Sequence, residues 1–155
     1  MDQKRGRHLS GRRVESESVT SAGALIYCST TRRYLFLLRN GHSHDGHWGL
    51  AGGKIESGET VVAGLLREIQ EEVGQDFASR RIIPVEQFTS NSGKFTFHTF
   101  VIPVDQEFVP DLNSEHRGYC WVGIQDYPKP LHPGVWRSIN FQIIIDKLKT
   151  LESVL

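Results

Sequence analysis

The sequence predicts an α/β domain in which several strands are interleaved with two helices. Short runs rich in β-branched and aromatic residues, separated by polar turns, predict the strands. Two segments with apolar residues at helical spacing predict the helices. A chain of 155 residues suits one domain with a substantial core.

Residues 1–18, MDQKRGRHLSGRRVESES, carry Lys4, Arg5, Arg7, Arg12 and Arg13 with almost no bulky apolar side chains. Such a segment buries too little surface to order itself, so a flexible basic arm is expected, with the folded domain over 19–155. Strands are expected over Val19–Tyr27 and Tyr34–Leu38, around a polar turn at Ser29–Arg33. Residues 41–49 form a loop rich in glycine and histidine. A helix is predicted over Val61–Val73. Strands follow over Ile82–Phe88 and Lys94–Val104, around the turn Ser90-Asn91-Ser92-Gly93. A short aromatic strand is expected over Gly118–Val122. One last helix is expected over Val135–Leu151, with Trp136, Ile139, Ile143, Ile144 and Leu148 as its stripe.

The helix over Val61–Val73 is the most informative segment. At about 100° per residue, Val62, Leu65, Leu66, Ile69 and Val73 share one arc. Glu68, Glu71 and Glu72 share a neighbouring arc, rotated by about 120° from the first. Like charges three and four residues apart destabilise a helix by a few tenths of a kcal/mol per pair. In isolation, EIQEE is more simply read as a solvated face. Its context reverses that reading. Gly52-Gly53, Ser57-Gly58 and Glu59 lead into the helix, and Arg67 precedes the first clustered glutamate.

This run, GKIESGETVVAGLLREIQEEVG, resembles the Nudix box G-x5-E-x7-R-E-U-x-E-E-x-G-U, where U is a bulky aliphatic residue. Gly53, Glu59, Arg67, Glu68, Ile69, Glu71, Glu72 and Gly74 occupy the required offsets. Gln75 stands where an aliphatic residue is usual, a departure at the end of the helix that touches packing more than chemistry. The resemblance implies a MutT-like Nudix hydrolase, an α/β/α sandwich around a mixed central sheet. The activity it implies is hydrolysis of a diphosphate linked to another moiety, by water attacking phosphorus.

Hard cations prefer oxygen ligands and bind through a few carboxylates plus substrate phosphates. The family pattern implies Mg²⁺, with Mn²⁺ as the alternative, on Glu68, Glu71, Glu72 and the carbonyl of Gly52. Such an ion lowers the pKa of bound water and neutralises phosphate charge. Glu68 or Glu71 would position or deprotonate that water. Arg67 and Glu59 read as a salt bridge orienting the helix. Lys54 and Arg39 are candidate phosphate contacts. Glu115, in Asn113-Ser114-Glu115-His116 just before an aromatic strand, is a candidate accessory metal ligand or alternative base.

His42, His44, His47 and Asp45 suggest a zinc site, but their spacing is irregular. A surface loop near the substrate entrance is the preferred reading. Trp48, Phe97, Phe100 and Trp136 are aromatic groups able to stack on a nucleobase. Each suits the core better except Trp48, which borders the box and is expected to bind substrate.

Equal numbers of acidic and basic residues, 18 of each, with 38% hydrophobic content, give no overall basic excess to demand nucleic acid. No apolar run reaches membrane-span length and no secretory leader is read, so a cytoplasmic setting is expected. Cys28 and Cys120 lack metal-ligand spacing and are expected as buried free thiols. The expected function is pyrophosphohydrolysis of a small nucleotide: a nucleoside triphosphate, a dinucleoside polyphosphate or an ADP-sugar. Removal of pyrophosphate from 5′ RNA ends, using the basic arm, is the alternative within enzymes. A nucleotide-sensing module without turnover is the alternative outside them. A monomer or homodimer is expected.

Overall fold

The computed structural model describes residues 18–41 and 43–155; residues 1–17 of the expected arm, and His42, lie outside them. The strand β1 (Val19–Cys28) organises the rest. Its run from Ala22 to Cys28 is buried throughout, as expected for a strand covered on both faces. One edge of β1 pairs in parallel with β6 (Phe95–Val104) along ten residues, from Val19–Phe95 to Cys28–Val104. The other edge is shared. Near its C-terminus β1 pairs with β2 (Arg33–Arg39), and near its N-terminus with β4 (Ala51–Lys54), both antiparallel.

The sheet is extended by β3 (Trp48–Gly49) and β7 (His116–Val122) on β2, and by β5 (Ile83–Thr89) on β6. It has seven strands of mixed direction. Alternation along β1 sends Ala22, Ala24, Ile26 and Cys28 to one face, where they meet Leu65, Ile69 and Val73 of α1 (Val61–Val73). Leu25 and Tyr27 face the opposite layer, packing with Val135 and Ile139 of α2 (Pro133–Ile139) and Ile144 and Leu148 of α3 (Gln142–Val154). The architecture is an α/β/α sandwich with a mixed central sheet.

Three expectations are corrected. The terminal helix is two helices, broken at Asn140-Phe141. The Asn140 side-chain amide donates to the Trp136 carbonyl at 2.8 Å, the local bonding by which asparagine competes with helix propagation. The break resets the stripe, leaving Trp136 and Ile143 exposed while Ile139, Ile144 and Leu148 are buried. On α1, Val62 is exposed at the edge of its apolar arc, whereas Leu65, Ile69 and Val73 are fully enclosed. The segment ahead of the box is not a plain loop, because Trp48–Gly49 and Ala51–Lys54 are paired strands. Both cysteines are free; Cys28 is buried and Cys120 half-buried.

Replacing Leu65 by Ala should lower stability by about 2–5 kcal/mol. Val62→Ala should change it by less than about 0.5 kcal/mol. Urea denaturation checks both.

Candidate active site

The site forms where α1 lies against β4 with almost no side chain between them. Thr60 caps the helix, its hydroxyl accepting from the Ala63 N–H at 3.1 Å, which satisfies one of the free donors of the first turn. Gly52 has φ 151°, and a Cβ there would lie 2.0 Å from the Ala22 carbonyl oxygen. Only glycine fits. At Gly53 a Cβ would lie 2.7 Å from the Glu68 carboxyl carbon. These two glycines let carboxylates from α1 reach the strand's backbone.

Glu72 uses that access. It is 2% exposed, and its Oε2 accepts from the Gly52 N–H at 3.0 Å. Burial pushes its carboxyl up to about 9, helped by the charges of Glu68 and Glu115 and opposed by the Gly52 hydrogen bond. Glu68 is raised too, first by burial, with Arg67 opposing and Glu71 and Glu115 adding. Acidic groups crowded out of water in this way hold their protons unless a cation joins them.

Arg67 ties the cluster together. Its Nε donates to Glu59 Oε2 at 2.8 Å, and its Nη2 donates to Glu59 Oε1 at 3.0 Å and to the Lys54 carbonyl at 3.1 Å. Nη1 donates to Glu68 Oε1 at 3.0 Å and lies 3.4 Å from Glu71. The guanidinium holds the Glu59 carboxyl down to about 2. Glu59 in turn accepts from the Glu56 N–H at 2.8 Å. One fork therefore braces the box turn, β4 and the acidic face of α1.

A cavity of about 600 Å³ opens above this face. Arg39, Gly52, Gly53, Lys54, Glu68, Glu72, Glu115 and His116 contribute to its wall. Glu71 does not line it; its side chain is 53% exposed and paired with Arg67. A second cavity, of about 370 Å³, lies against the opposite side of Gly52-Gly53. Its wall includes Phe88, Phe95 and Phe97 from the sheet, with Val135 and Arg137 from α2. Arg39 borders both.

Trp48, expected to bind substrate, does not line either of these two cavities. β3 pins it between Leu38 and Leu131, and its indole packs against the core on the α2 and α3 side. Phe100 is core and Trp136 is exposed, and of the four aromatic candidates Phe97 is the one that lines the second cavity. The loop histidines make ring contacts: His44 lies 4.2 Å from His132 and 5.6 Å from His47 between centroids. Asp45 is engaged by Arg117, which leaves it poorly placed as a metal ligand.

His116 escaped sequence reasoning. It is 6% exposed, it lines the larger cavity, and neither ring nitrogen has a hydrogen-bond partner among the described residues. Among the described residues, ligand atoms of Glu72, Glu115 and His116 lie within 4.8 Å of one another. The only sequence signal was its place beside Glu115, where the loop enters β7. The donor set fits a divalent cation: two carboxylates and a neutral imidazole, with burial holding His116 down to about 4.

Residues 18–141 match the family model described as the NUDIX domain. The chain belongs to the Nudix family. It is 34% identical over 113 residues to the dihydroneopterin triphosphate diphosphatase of Haemophilus influenzae, covering 63% of this chain and 70% of that one. It is 30% identical over 91 residues to the nucleoside triphosphatase NudI of Escherichia coli, covering 52% of this chain and 64% of that one. The solved dihydroneopterin triphosphate pyrophosphohydrolase of E. coli shares the fold, with a TM-score of 0.65 at 24% identity, over 82% of this chain and 95% of that one. This Nudix chain is an enzyme acting on phosphoanhydride bonds, and its family works with divalent metal ions. No described helix is long and apolar enough to cross a membrane.

Two predictions test the site. Without metal, the folded chain keeps a proton on Glu72 that the unfolded chain releases near its ordinary 4.5. Stability should therefore fall as pH rises towards about 9, by at most about 1.4 kcal/mol per unit. The window to read is above pH 7, because the depressed His116 and His132 act in the opposite sense below 6.5. Urea midpoints in chelator from pH 7 to 8.5 measure the slope, and Glu72→Gln should flatten it while cutting turnover by orders of magnitude. Arg67→Lys should lower Mn²⁺ affinity about 10–100-fold, read by calorimetry, because an ammonium lacks the fork that spans Glu59 and Glu68.

Proposed function

We propose that this Nudix hydrolase is a Mg²⁺-dependent pyrophosphohydrolase of nucleoside triphosphates or closely similar nucleotides. One observation carries the reading. The larger cavity sets Glu68, Glu72 and Glu115 opposite the cations Arg39 and Lys54, and it adjoins an aromatic cavity across Gly52-Gly53. A polyphosphate needs the first environment and a heterocyclic base the second. The triphosphates in the names of the relatives above support the same choice.

Bound in the larger cavity, Mg²⁺ would neutralise phosphate charge and acidify a water, held by Glu68, Glu72, Glu115 and the Gly52 carbonyl. Mn²⁺ is the alternative ion. Arg39 and Lys54 bind and orient the phosphate oxygens by charge-assisted hydrogen bonds. Glu68, inside the cavity wall, takes the proton from the attacking water more readily than Glu71, which stands outside it. Water adds to phosphorus, one phosphoanhydride bond breaks, and each product keeps one phosphate end. Arg67 positions Glu68, with Glu59 fixing Arg67 in turn. Phe88, Phe95 and Phe97 offer the base a stacking surface of the sequence-tolerant kind. The free thiols of Cys28 and Cys120 suit a reducing, cytoplasmic compartment.

The five cations of residues 1–17 favour one second reading, hydrolysis at the 5′ end of RNA. A panel of nucleoside triphosphates, dinucleoside polyphosphates, ADP-sugars and 5′-triphosphorylated RNA, with products identified, tests both. The expected result is pyrophosphate and a nucleoside monophosphate from a triphosphate, at equal rates for the full chain and for residues 18–155. RNA activity lost on truncation and falling steeply with salt would replace the small-nucleotide reading. No phosphate release with Mg²⁺ or Mn²⁺ would remove both.

A further inference from the structure

We propose that His116 is a metal ligand, completing with Glu72 and Glu115 a mixed nitrogen and oxygen site for a divalent cation of the Mn²⁺-to-Zn²⁺ series. The inference rests on the metal-dependent reading above and adds a donor that the carboxylate pattern of the box does not contain.

Three observations converge. Glu72, Glu115 and His116 come from α1, the loop before β7, and the first residue of β7. Their ligand atoms lie within 4.8 Å of one another. Two donors on one zinc, each about 2.0–2.2 Å from it, stand at most about 4.4 Å apart, so a small inward movement gathers all three. Next, both ring nitrogens of His116 are cut off from solvent and have no hydrogen-bond partner among the described residues. A buried polar group without a partner costs about 1–3 kcal/mol, and such groups in native proteins call for an explanation, among them a catalytic role or an unseen water or ion. Finally, Arg39, the other charged residue beside the ring, is a donor that makes no hydrogen bond to it. A cation in the cavity would take up the imidazole lone pair.

The donor chemistry sets the choice of cation. Carboxylates and carbonyls alone suit Mg²⁺, whereas imidazole suits Zn²⁺ and its neighbours in the transition series. A chain with His116 in the set therefore gains affinity for Mn²⁺, Co²⁺ or Zn²⁺ that an all-oxygen set would lack. Occupancy of this site and the hydrolytic step are separable properties, because the ion's binding is measurable without substrate.

The test uses the full chain loaded with one equivalent of Mn²⁺ and no nucleotide. Electron spin-echo modulation should show coupling to an imidazole nitrogen in the wild type and none in His116→Phe. Calorimetry should show Mn²⁺ and Co²⁺ affinity falling on the order of 100-fold in that variant, with Mg²⁺ affinity changing less than about threefold. Should His116→Phe not fold, long-range ¹H–¹⁵N spectra of the wild type decide. A large shift of the His116 ring nitrogens on adding Zn²⁺ supports the assignment, and unmoved signals overturn it. Mn²⁺ bound without nitrogen coupling, or coupling that survives in His116→Phe, also overturns it and leaves the hydrolase reading standing. Absence of any Mn²⁺ or Mg²⁺ binding would instead remove the metal-dependent reading itself.

Discussion

The close approach of β1 and α1 to β4 constrains everything around it, because a Cβ at Gly52 would strike the Ala22 carbonyl of β1 and one at Gly53 the Glu68 carboxylate of α1. Helix carboxylates then touch strand backbone directly. Glu72 is anchored by an amide of β4, and Arg67 reaches the Lys54 carbonyl from the same helix. β4 is itself held by β1, the strand buried on both faces. The core thus supports the carboxylates through a short chain of backbone contacts. Such support limits the freedom of groups whose mutual repulsion would otherwise spread them apart.

That repulsion explains the electrostatic design. Glu68 and Glu72 sit where burial, and after it the charges of neighbouring carboxylates including Glu115, favour the protonated form. Arg67 relieves only part of it, since its fork faces Glu59 and Glu68 and does not reach Glu72. The unrelieved end of the cluster is the end that meets Glu115 and His116. A cation there would complete the charge balance, while Arg67 is committed to geometry.

The two cavities divide recognition along the same line of glycines. On one side, acidic groups face Arg39 and Lys54; on the other, phenylalanines face α2. Arg39 belongs to both walls, and its Nε donates to the Ser43 carbonyl at 2.9 Å in the loop above. The loop that looked like a metal site is in this respect a support for a cavity residue. The break at Asn140-Phe141 belongs to the same division, because α2 lines the aromatic cavity while α3 covers the sheet.

Local sequence by itself determined the α1 helix, the acidic arc beside Arg67, and the family to which the box belongs. These features depend on spacing within about two dozen residues, and helical geometry converts spacing into direction without help from the rest of the chain. Five of the seven strands were legible to within about two residues from their own composition, whereas β3 and β4 were not. Tertiary structure alone decided the remainder. Val62 and Trp136 carry apolar side chains on helical stripes, yet whether a stripe's edge is covered depends on what packs against it. Trp48 borders the box in sequence, but strand pairing turns it into the core. Glu68 and Glu71 are three residues apart with identical chemistry, and only the placement of β4 puts one inside the cavity and the other outside. His116 became visible last, because a histidine's environment is set by elements far away in the chain, here α1, which brings Glu72 to it.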